Sequence, residues 1–508
     1  MVFQAFAAQP TCDSSFVWEN RSFCSIFTNS TTASLKFNNS STILTCIDSR
    51  YVDFRLHSNN FRFTTDATFI AFPRSAQDVI QILEQALQNG LRPTIRSGGH
   101  CFEDFWSNNT GGLLIDMSLM NRLSPRMDGS ARIWAGAGIL MRELYSRLYK
   151  EHGLVVPGGA CLDVAVAGHV LGSGYGFLSR KYGLISDYVQ AMEVVHVKAD
   201  GSVHAVVVGS NSTEPKHKDL FWALRGGGSQ NFGIVTKVAF KGLPISPPTV
   251  IWLDMKWSLV EFDETRFGDI LTKYVDFFFK NSGVDSPFCN LFSDLNVRLG
   301  QKGSVMELRV LVVGDRQKLI KEFAKEVGLV SKTMECKKMS LNRYLLTSSN
   351  SAQPSFYLRR SAYMVGSLPK RQRTIIWQYF MNATLYRDVR SGAIRIRSFG
   401  CAVSRLSNTD TAYPHRKAVI KIEFAAAWKT PEEEEATRDW SRRLYFGLYG
   451  KNGPMSDEVM DGCYYNYPDR ELVKWQQLYF KDNYDKLRRV KREWDPLNVF
   501  WHRQSIEL

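Results

Sequence analysis

Two nucleophiles stand beside glycine-rich loops in this chain. His100 closes the run Arg96-Ser97-Gly98-Gly99-His100. Cys161 follows Val156-Pro157-Gly158-Gly159-Ala160 and precedes Gly168-His169-Val170-Leu171-Gly172-Ser173-Gly174-Tyr175-Gly176. A third cluster is Arg225-Gly226-Gly227-Gly228-Ser229-Gln230-Asn231-Phe232-Gly233. Glycine tolerates positive φ and lets successive N–H groups converge on an anion, so such loops suit a pyrophosphate. One cluster alone reads as a tight turn. Three within about 140 residues, each beside a strand-like run, point to a bound dinucleotide. The second cluster reads G-x-G-x-G rather than G-x-G-x-x-G, and no Walker motif occurs, so a Rossmann NAD domain and a P-loop NTPase are disfavoured. A dinucleotide bound another way stays open, with FAD the obvious candidate.

The elements that must position these loops follow from periodicity. Thr65 to Phe72 reads as a strand ending at Pro73. Ser75-Ala76-Gln77-Asp78 resembles a capping box, after which Val79, Ile82, Leu83, Ala86 and Leu87 recur at helical spacing until Gly90. Arg92 to Arg96 and Leu113 to Met117 read as strands, and 140–149 as a helix. This alternation predicts an α/β domain. Residues 10–60 look like an irregular lead-in. Residues 250–450 read as a second, α+β domain. Beyond about 455 a glycine- and tyrosine-rich stretch and a late helix running into Trp494 form a tail that could fold back on the first domain. The predicted division is 1–60, 61–249, 250–454 and 455–508, and the fold class is α+β.

Composition narrows the field. The chain has 508 residues, 44% apolar and 22% charged, an ordinary globular balance. No apolar run reaches 18 residues, so no transmembrane helix is expected. The net charge of +14 leaves acidic partners open, but the basic residues are dispersed. The densest run, Arg488-Arg489-Val490-Lys491-Arg492, reads as the solvated face of a helix, and no nucleic-acid partner is expected. Nine cysteines, without a C-x-x-C pair, make a zinc site unlikely to be encoded and leave at least one thiol outside any intramolecular disulfide. Sequons occur at Asn20, Asn29, Asn38, Asn39, Asn108, Asn211 and Asn382. With the early Cys12, Cys24 and Cys46 they suggest a secreted glycoprotein. Met1 to Ala8 lacks a charged n-region. The pairing of Cys12, Cys24, Cys46 and Cys101 stays open.

The runs R-S-G-G-H-C-F-E-D-F at 96–105, V-P-G-G-A-C at 156–161 and G-G-G-S-Q-N-F-G-I-V-T at 226–236 resemble the berberine-bridge-enzyme-like FAD-linked oxidases of the vanillyl-alcohol-oxidase fold. So do Tyr465-Asn466-Tyr467-Pro468-Asp469, Trp494-Asp495-Pro496-Leu497-Asn498-Val499-Phe500 and Gln504-Ser505-Ile506. The resemblance covers about residues 60–508, and within the family it leans toward the hexose oxidases and the sugar oxidases of glycopeptide-antibiotic tailoring. It implies a PCMH-type FAD-binding domain and an antiparallel substrate sheet with flanking helices. It also implies bicovalent FAD, with His100 on the flavin 8α-methyl and Cys161 on carbon 6. Two tethers would raise the flavin potential and let the groove above the ring stay open. The resemblance further assigns Arg96, Ser97, Gly98, Gly99, Cys101, Ser118, Val164, Gly168, His169, Gly172, Gly174, Tyr175, Gly176, Gly228, Asn231, Gly233, Ile234, Val235, Tyr465, Asn466 and Asn498 to the cofactor site. There are departures: Ala165, Ala167 and Ser173 stand where the family often has glycine.

The resemblance also implies a catalytic tyrosine that deprotonates the substrate hydroxyl, matched here by Tyr467. A free phenol titrates near 10, so it needs help at neutral pH. Strand alternation places Lys421 and Glu423 of Lys421-Ile422-Glu423-Phe424 on one face, a cation for the phenol and an acceptor for sugar hydroxyls. Tyr175 matches a supporting tyrosine, and Tyr465 is a further candidate. Val164 falls at the family's oxygen-gating position, where a small residue marks oxidases. The expected activity is oxidation of an anomeric hydroxyl to a lactone, with dioxygen reduced to hydrogen peroxide. The expected partners are a small-molecule or oligosaccharide substrate and dioxygen, with no membrane, on a monomer or homodimer. Two rival readings stay open: a flavin enzyme of alkaloid, phenolic or antibiotic intermediates, and a basic polysaccharide- or nucleic-acid-binding protein.

Overall fold

The computed structural model describes residues 41–125, 133–299, 303–329, 336–347, 355–382 and 389–508. The sequons at Asn20, Asn29, Asn38 and Asn39, and Cys12 and Cys24, lie outside the described residues. Three sheets organise the rest. The first contains β1 (Thr42–Thr45), β2 (Phe69–Phe72), β3 (Pro93–Arg96) and β4 (Leu113–Asp116) in the order β1-β2-β4-β3. β2 and β3 both run parallel to β4, and β1 is antiparallel to β2. The helix Ala76–Gln88 crosses from β2 to β3. Its capping box is formed: Ser75 accepts from the Asp78 N–H, and the Asp78 carboxylate accepts from Ser75 N at 3.1 Å. Its Val79, Ile82, Leu83 and Ala86 are buried, as the apolar spacing requires.

The sequence pattern differs from the structure in two places here. The lead-in is not wholly irregular: β1 and the helix Tyr51–Arg55 fall inside it, because Leu44 and Tyr51 have a small core of their own with Ile70, Phe72, Trp106 and Leu114. The helix–strand alternation also stops at β4. A five-stranded antiparallel sheet follows, ordered β5-β6-β9-β7-β8, from β5 (Leu123–Pro125), β6 (Ile133–Gly136), β7 (Val189–Val197), β8 (Val203–Gly209) and β9 (Ile234–Phe240). Its central strands β7 and β9 are buried on nearly every residue, so period two is absent from their sequence, whereas the edge strand β8 exposes His204, Ala205 and Val207.

The third sheet has seven antiparallel strands: β10 (Val250–Ser258), β11 (Leu291–Arg298), β12 (Val305–Val313), β13 (Lys337–Met339), β14 (Phe356–Met364), β15 (Ser391–Ser398) and β16 (Ile420–Trp428). Their order is β13-β10-β12-β11-β15-β16-β14. Alternation gives it two unlike faces. Ile394, Ile396, Ile422 and Phe424 are buried on one, where the helix Pro431–Tyr449 packs, with Phe424 against Tyr445 at 5.1 Å. Arg395, Arg397, Lys421 and Glu423 line the other, with Arg397 opposite Lys421 and Arg395 opposite Glu423. A disulfide joins Cys289 to Cys401, whereas Cys101, Cys161, Cys336 and Cys463 are free. No helix among the described residues is long and apolar enough to cross a membrane.

The carboxy-terminal tail returns to the glycine loops. Ile506 N donates to Asn231 Oδ1 at 2.8 Å, and Gln504 Nε2 to the Asp469 carbonyl at 2.9 Å. The late helix, Tyr484–Trp494, corrects one expectation. Lys491 does not belong to a solvated face: it is completely buried, and its ammonium reaches Asp495 (2.5 Å) and the carbonyls of Asn231 (2.9 Å) and Phe500 (2.6 Å). A charge count along the chain sees only basic density; the burial comes from the tail folding over that helix.

Candidate active site

Backbone contacts draw the glycine loops together. Gln230 Oε1 accepts from Ile95 N at 2.9 Å, tying the third cluster to the strand that delivers His100. The carbonyl of Leu171 accepts from both Gly226 N (3.1 Å) and Gly228 N (3.0 Å), tying the second to the third. Gly98 meets the loop after Cys161 so closely that a Cβ there would lie 2.7 Å from Ala165 N and 3.0 Å from the Asp163 carbonyl. No side chain fits, which is why this position requires glycine. The methyls of Ala165 and Ala167 are accommodated in the core, both residues being buried. Ser173 keeps the left-handed backbone that glycine would favour, with φ 73°, at a cost of about 1–3 kcal/mol. Its hydroxyl is buried without a hydrogen-bond partner among the described residues.

The two nucleophiles differ in state. Burial, assisted by His57 and opposed by Asp163, lowers His100 to about 4, so its imidazole is neutral. Cys161 is exposed to solvent. Its thiol is nonetheless pushed up by the surrounding protein and by Glu423, against the pull of Arg397, Arg359 and Arg395. The other assigned loop residues hold the framework. Arg96 is engaged by Asp116 (2.7 Å) and the carbonyls of Phe54 and His57. Asp116 also caps Ser118 N at 2.9 Å. His169 accepts from Gly159 N at 2.8 Å. Burial pushes the Cys101 thiol up to about 12. Val164 is half-buried and its carbonyl accepts from Met141 N. Gly168 is in the helix Val166–Leu171. Gly172 and Gly228 abut Asn466 and the Tyr465 ring, and Gly176 the Gly158 carbonyl. Ile234 and Val235 are buried at the start of β9. Asn498 adopts φ 49° in the tail.

Above these loops lies a hydrogen-bonded cluster on the polar face of the third sheet. Lys421 Nζ donates to Tyr175 Oη at 2.9 Å, and Arg397 Nη1 donates to the same oxygen at 2.7 Å. Tyr175 and Tyr467 hydroxyls are 3.1 Å apart, and Tyr467 reaches Glu423 Oε2 at 3.3 Å. Two cationic donors occupy the lone pairs of Tyr175, so its own proton points to Tyr467. Tyr467 therefore accepts from Tyr175 and gives its proton toward Glu423. The Lys421 ammonium also stands 3.8 Å from the centre of the Tyr467 ring and 4.2 Å from that of Tyr175. Burial works against ionising Glu423, yet Arg397, Arg395, Arg359 and Lys421 hold its carboxyl well below the usual range. Burial, with the Glu423 anion, holds the Tyr467 phenol well above 10, and burial drives Lys421 well below its usual value.

Two contacts bind this cluster to the loops. Phe102, two residues beyond His100, lies 5.0 Å from the Tyr467 ring. Asn466 Nδ2, one residue before Tyr467, donates to the His169 carbonyl at 3.1 Å. Tyr467, Tyr175, Lys421 and Glu423 thus come together beside the two nucleophile loops. Tyr465 does not join them: its hydroxyl bonds to His502 at 3.3 Å, at the junction of tail and third cluster. Glu423 is only 3% exposed and its oxygens are taken by arginines and Tyr467, so it is not an open acceptor for a sugar. Sequence reasoning missed Arg397, Arg395 and Arg359. The alternation Arg395-Ile396-Arg397 carries the same signal as Lys421-Ile422-Glu423, but only the register shows that the two pairs are neighbours.

Two family models match the chain, an FAD binding domain over residues 67–206 and a berberine and berberine like segment over 463–507. The chain is 30% identical over 492 residues to an aclacinomycin-N/aclacinomycin-A oxidase of Streptomyces galilaeus, covering 91% of this chain and 88% of that one. It belongs to the berberine-bridge-enzyme-like FAD-linked oxidases. A hexose oxidase of Chondrus crispus is 28% identical, over 87% of this chain and 90% of that relative. The crystal structure of a glycopeptide hexose oxidase complexed with teicoplanin superposes with a TM-score of 0.87 at 30% identity, over 92% of this chain and 99% of that one. This is the PCMH-type FAD-binding fold. The residues fit FAD: three mutually tied glycine loops, a buried hydroxyl at Ser173 without a partner among the described residues, and a neutral His100 at the end of the first loop.

Proposed function

We propose that this berberine-bridge-enzyme-like protein is a carbohydrate oxidase that converts the anomeric hydroxyl of a mono- or oligosaccharide to the lactone. When bound, FAD supplies the hydride acceptor and, through dioxygen, the route to hydrogen peroxide. The chain's own residues do the rest. Tyr467 takes the hydroxyl proton. Tyr175, fixed as a donor by Arg397 and Lys421, hydrogen-bonds to the oxygen left negative on Tyr467, and the Lys421 cation faces the ring. Glu423 holds Arg397 in place through a 2.6 Å contact. His100 and Cys161 tether the cofactor, and small Val164 admits dioxygen. The observation that carries this reading is the 3.1 Å contact between the Tyr175 and Tyr467 hydroxyls, with Arg397 and Lys421 both on the Tyr175 oxygen, beside the His100 loop. The sugar and glycopeptide relatives support the substrate class. Exposed Asn108, Asn211 and Asn382 support a secreted glycoprotein.

Mixing the holoenzyme with a panel of reducing sugars under air should release hydrogen peroxide in step with lactone. A panel that leaves the flavin oxidised, while a phenolic or antibiotic intermediate bleaches it, would replace the carbohydrate reading.

The tethers have their own test. Acid precipitation should give a yellow pellet for the wild type and for His100→Ala and Cys161→Ala singly, since one bond suffices. The double variant should give a colourless pellet. A colourless wild-type pellet under a yellow supernatant would remove both bonds from the proposal.

A further inference from the structure

On the polar face of the third sheet most cations have a carboxylate of their own. Arg309 pairs with Asp254 at 2.7 Å and Arg298 with Glu307 at 2.8 Å. Arg397 has Asp294 at 3.1 Å besides Glu423. Arg359 and Arg395 are different. Among the described residues the only carboxylate within 4 Å of either guanidinium is Glu423, whose Oε1 is 3.2 Å from Arg359 Nε and 3.6 Å from Arg395 Nη1. That carboxylate is already held by Arg397 at 2.6 Å and by Tyr467. Three guanidiniums therefore share one buried anion, and the buried Lys421 adds a fourth positive neighbour. Arg359 gives one further bond, to the Leu358 carbonyl at 3.1 Å. Most donors of the two guanidiniums stay open. Their side chains are 21% and 35% exposed, while Glu423 beneath them is 3%.

We infer that Arg359 and Arg395 form an oxyanion subsite, and that the substrate of this site is an anionic sugar. This rests on the carbohydrate reading above and narrows it. A guanidinium with free, planar donors takes a carboxylate or sulfate in bidentate fashion, and more strongly than it takes a neutral hydroxyl. Glu423 cannot fill that demand because its oxygens are engaged and it lies under the pair. The subsite is one carboxylate away from the Tyr467 hydroxyl, since Glu423 touches Tyr467 with Oε2 and the two arginines with Oε1. The substrate's negative group therefore belongs to the sugar unit being oxidised or its immediate neighbour. A uronic acid carries a carboxylate there, and a sulfated sugar an ester with the same oxygen geometry. Arg359 is further braced, its guanidinium carbon lying 4.8 Å from the Tyr357 ring centre, which lowers the entropy lost on binding.

The test uses glycosides whose anomeric oxygen is blocked, so binding is read without turnover. Methyl galactoside, methyl galacturonoside and methyl galactoside 6-sulfate are titrated into the holoenzyme, and the shift of its flavin spectrum is followed. One or both charged glycosides should bind about tenfold or more tighter than the neutral one at low salt. Which of the two does so identifies carboxylate or sulfate as the anionic group. Arg395→Gln and Arg359→Gln should each reduce that preference about tenfold, Arg395→Lys should retain part of it, and salt should erode it. Equal affinity for charged and neutral glycosides, or a preference that survives both glutamine variants, overturns the subsite. Charged glycosides that bind while no free sugar is oxidised would overturn the carbohydrate reading and leave the subsite standing. Neutral sugars oxidised with no charge preference would do the reverse.

Discussion

Replacing Tyr467 by Phe should lower the rate constant for flavin reduction by the proposed sugar substrate about 10²- to 10⁴-fold, the range for loss of a positioned base. The change removes one oxygen and keeps the ring that packs on Phe102 and faces Lys421. Binding of the sugar should hold, so the loss falls on kcat more than on KM. A stopped-flow trace with unchanged reduction would take the base away from Tyr467. The pH dependence sharpens the assignment. Burial and the Glu423 anion hold the Tyr467 phenol above its ordinary value, and the base works unprotonated. The reduction rate should therefore climb with pH as Tyr467 loses its proton. Tyr175→Phe deletes the hydrogen bond that the Tyr467 oxyanion receives, so the climb should move to higher pH. At neutral pH each unit of movement costs about tenfold in rate. A purely structural loss would lower the rate at every pH and leave the profile in place.

Why that oxygen is poised was only partly legible in the sequence. The Lys421 and Glu423 alternation placed both on one strand face, because period two is local information. The identity of their neighbours is not local. Arg397 faces Lys421, and Asp294 faces Arg397, through the pairing of β11, β15 and β16 across more than 100 residues. Without that register the direction of the bond between Tyr175 and Tyr467 cannot be worked out, since it is Arg397 that takes the second lone pair. The same limit misplaced Glu423, which reads as an open acceptor until its arginine neighbours are known. The fold shows the parallel case. Ser75 and Asp78 announced a helix start because a capping box is contained in four residues. In the antiparallel sheet of β5 to β9 the central strands β7 and β9 gave no alternation to read, because they are buried along nearly their whole length. The motif resemblance, by contrast, carried the cofactor and the family at once, since loops that must approach a ligand closely leave few residue choices, as Gly98 illustrates.

Replacing Lys491 by Met should destabilise the protein by about 3–5 kcal/mol, the usual result of removing one member of a buried ion pair. Both Lys491 and Asp495 are fully buried, and each has further partners. Asp495 accepts from Val499 N (2.8 Å) and Phe500 N (2.9 Å), which orders the turn after Trp494. Lys491 reaches across to the Asn231 carbonyl, in the third glycine cluster. The methionine would leave a carboxylate and two carbonyls without their cation. Thermal melts of the holoenzyme should show a Tm lower by several degrees, and amide exchange should quicken in the tail and around Asn231. Removing both charges, with Lys491→Met and Asp495→Leu together, should cost at least about 1 kcal/mol less than the sum of the single changes. A stability within about 0.5 kcal/mol of wild type would be the behaviour of an exposed residue, and would return this basic run to the solvated face that its charge density suggests.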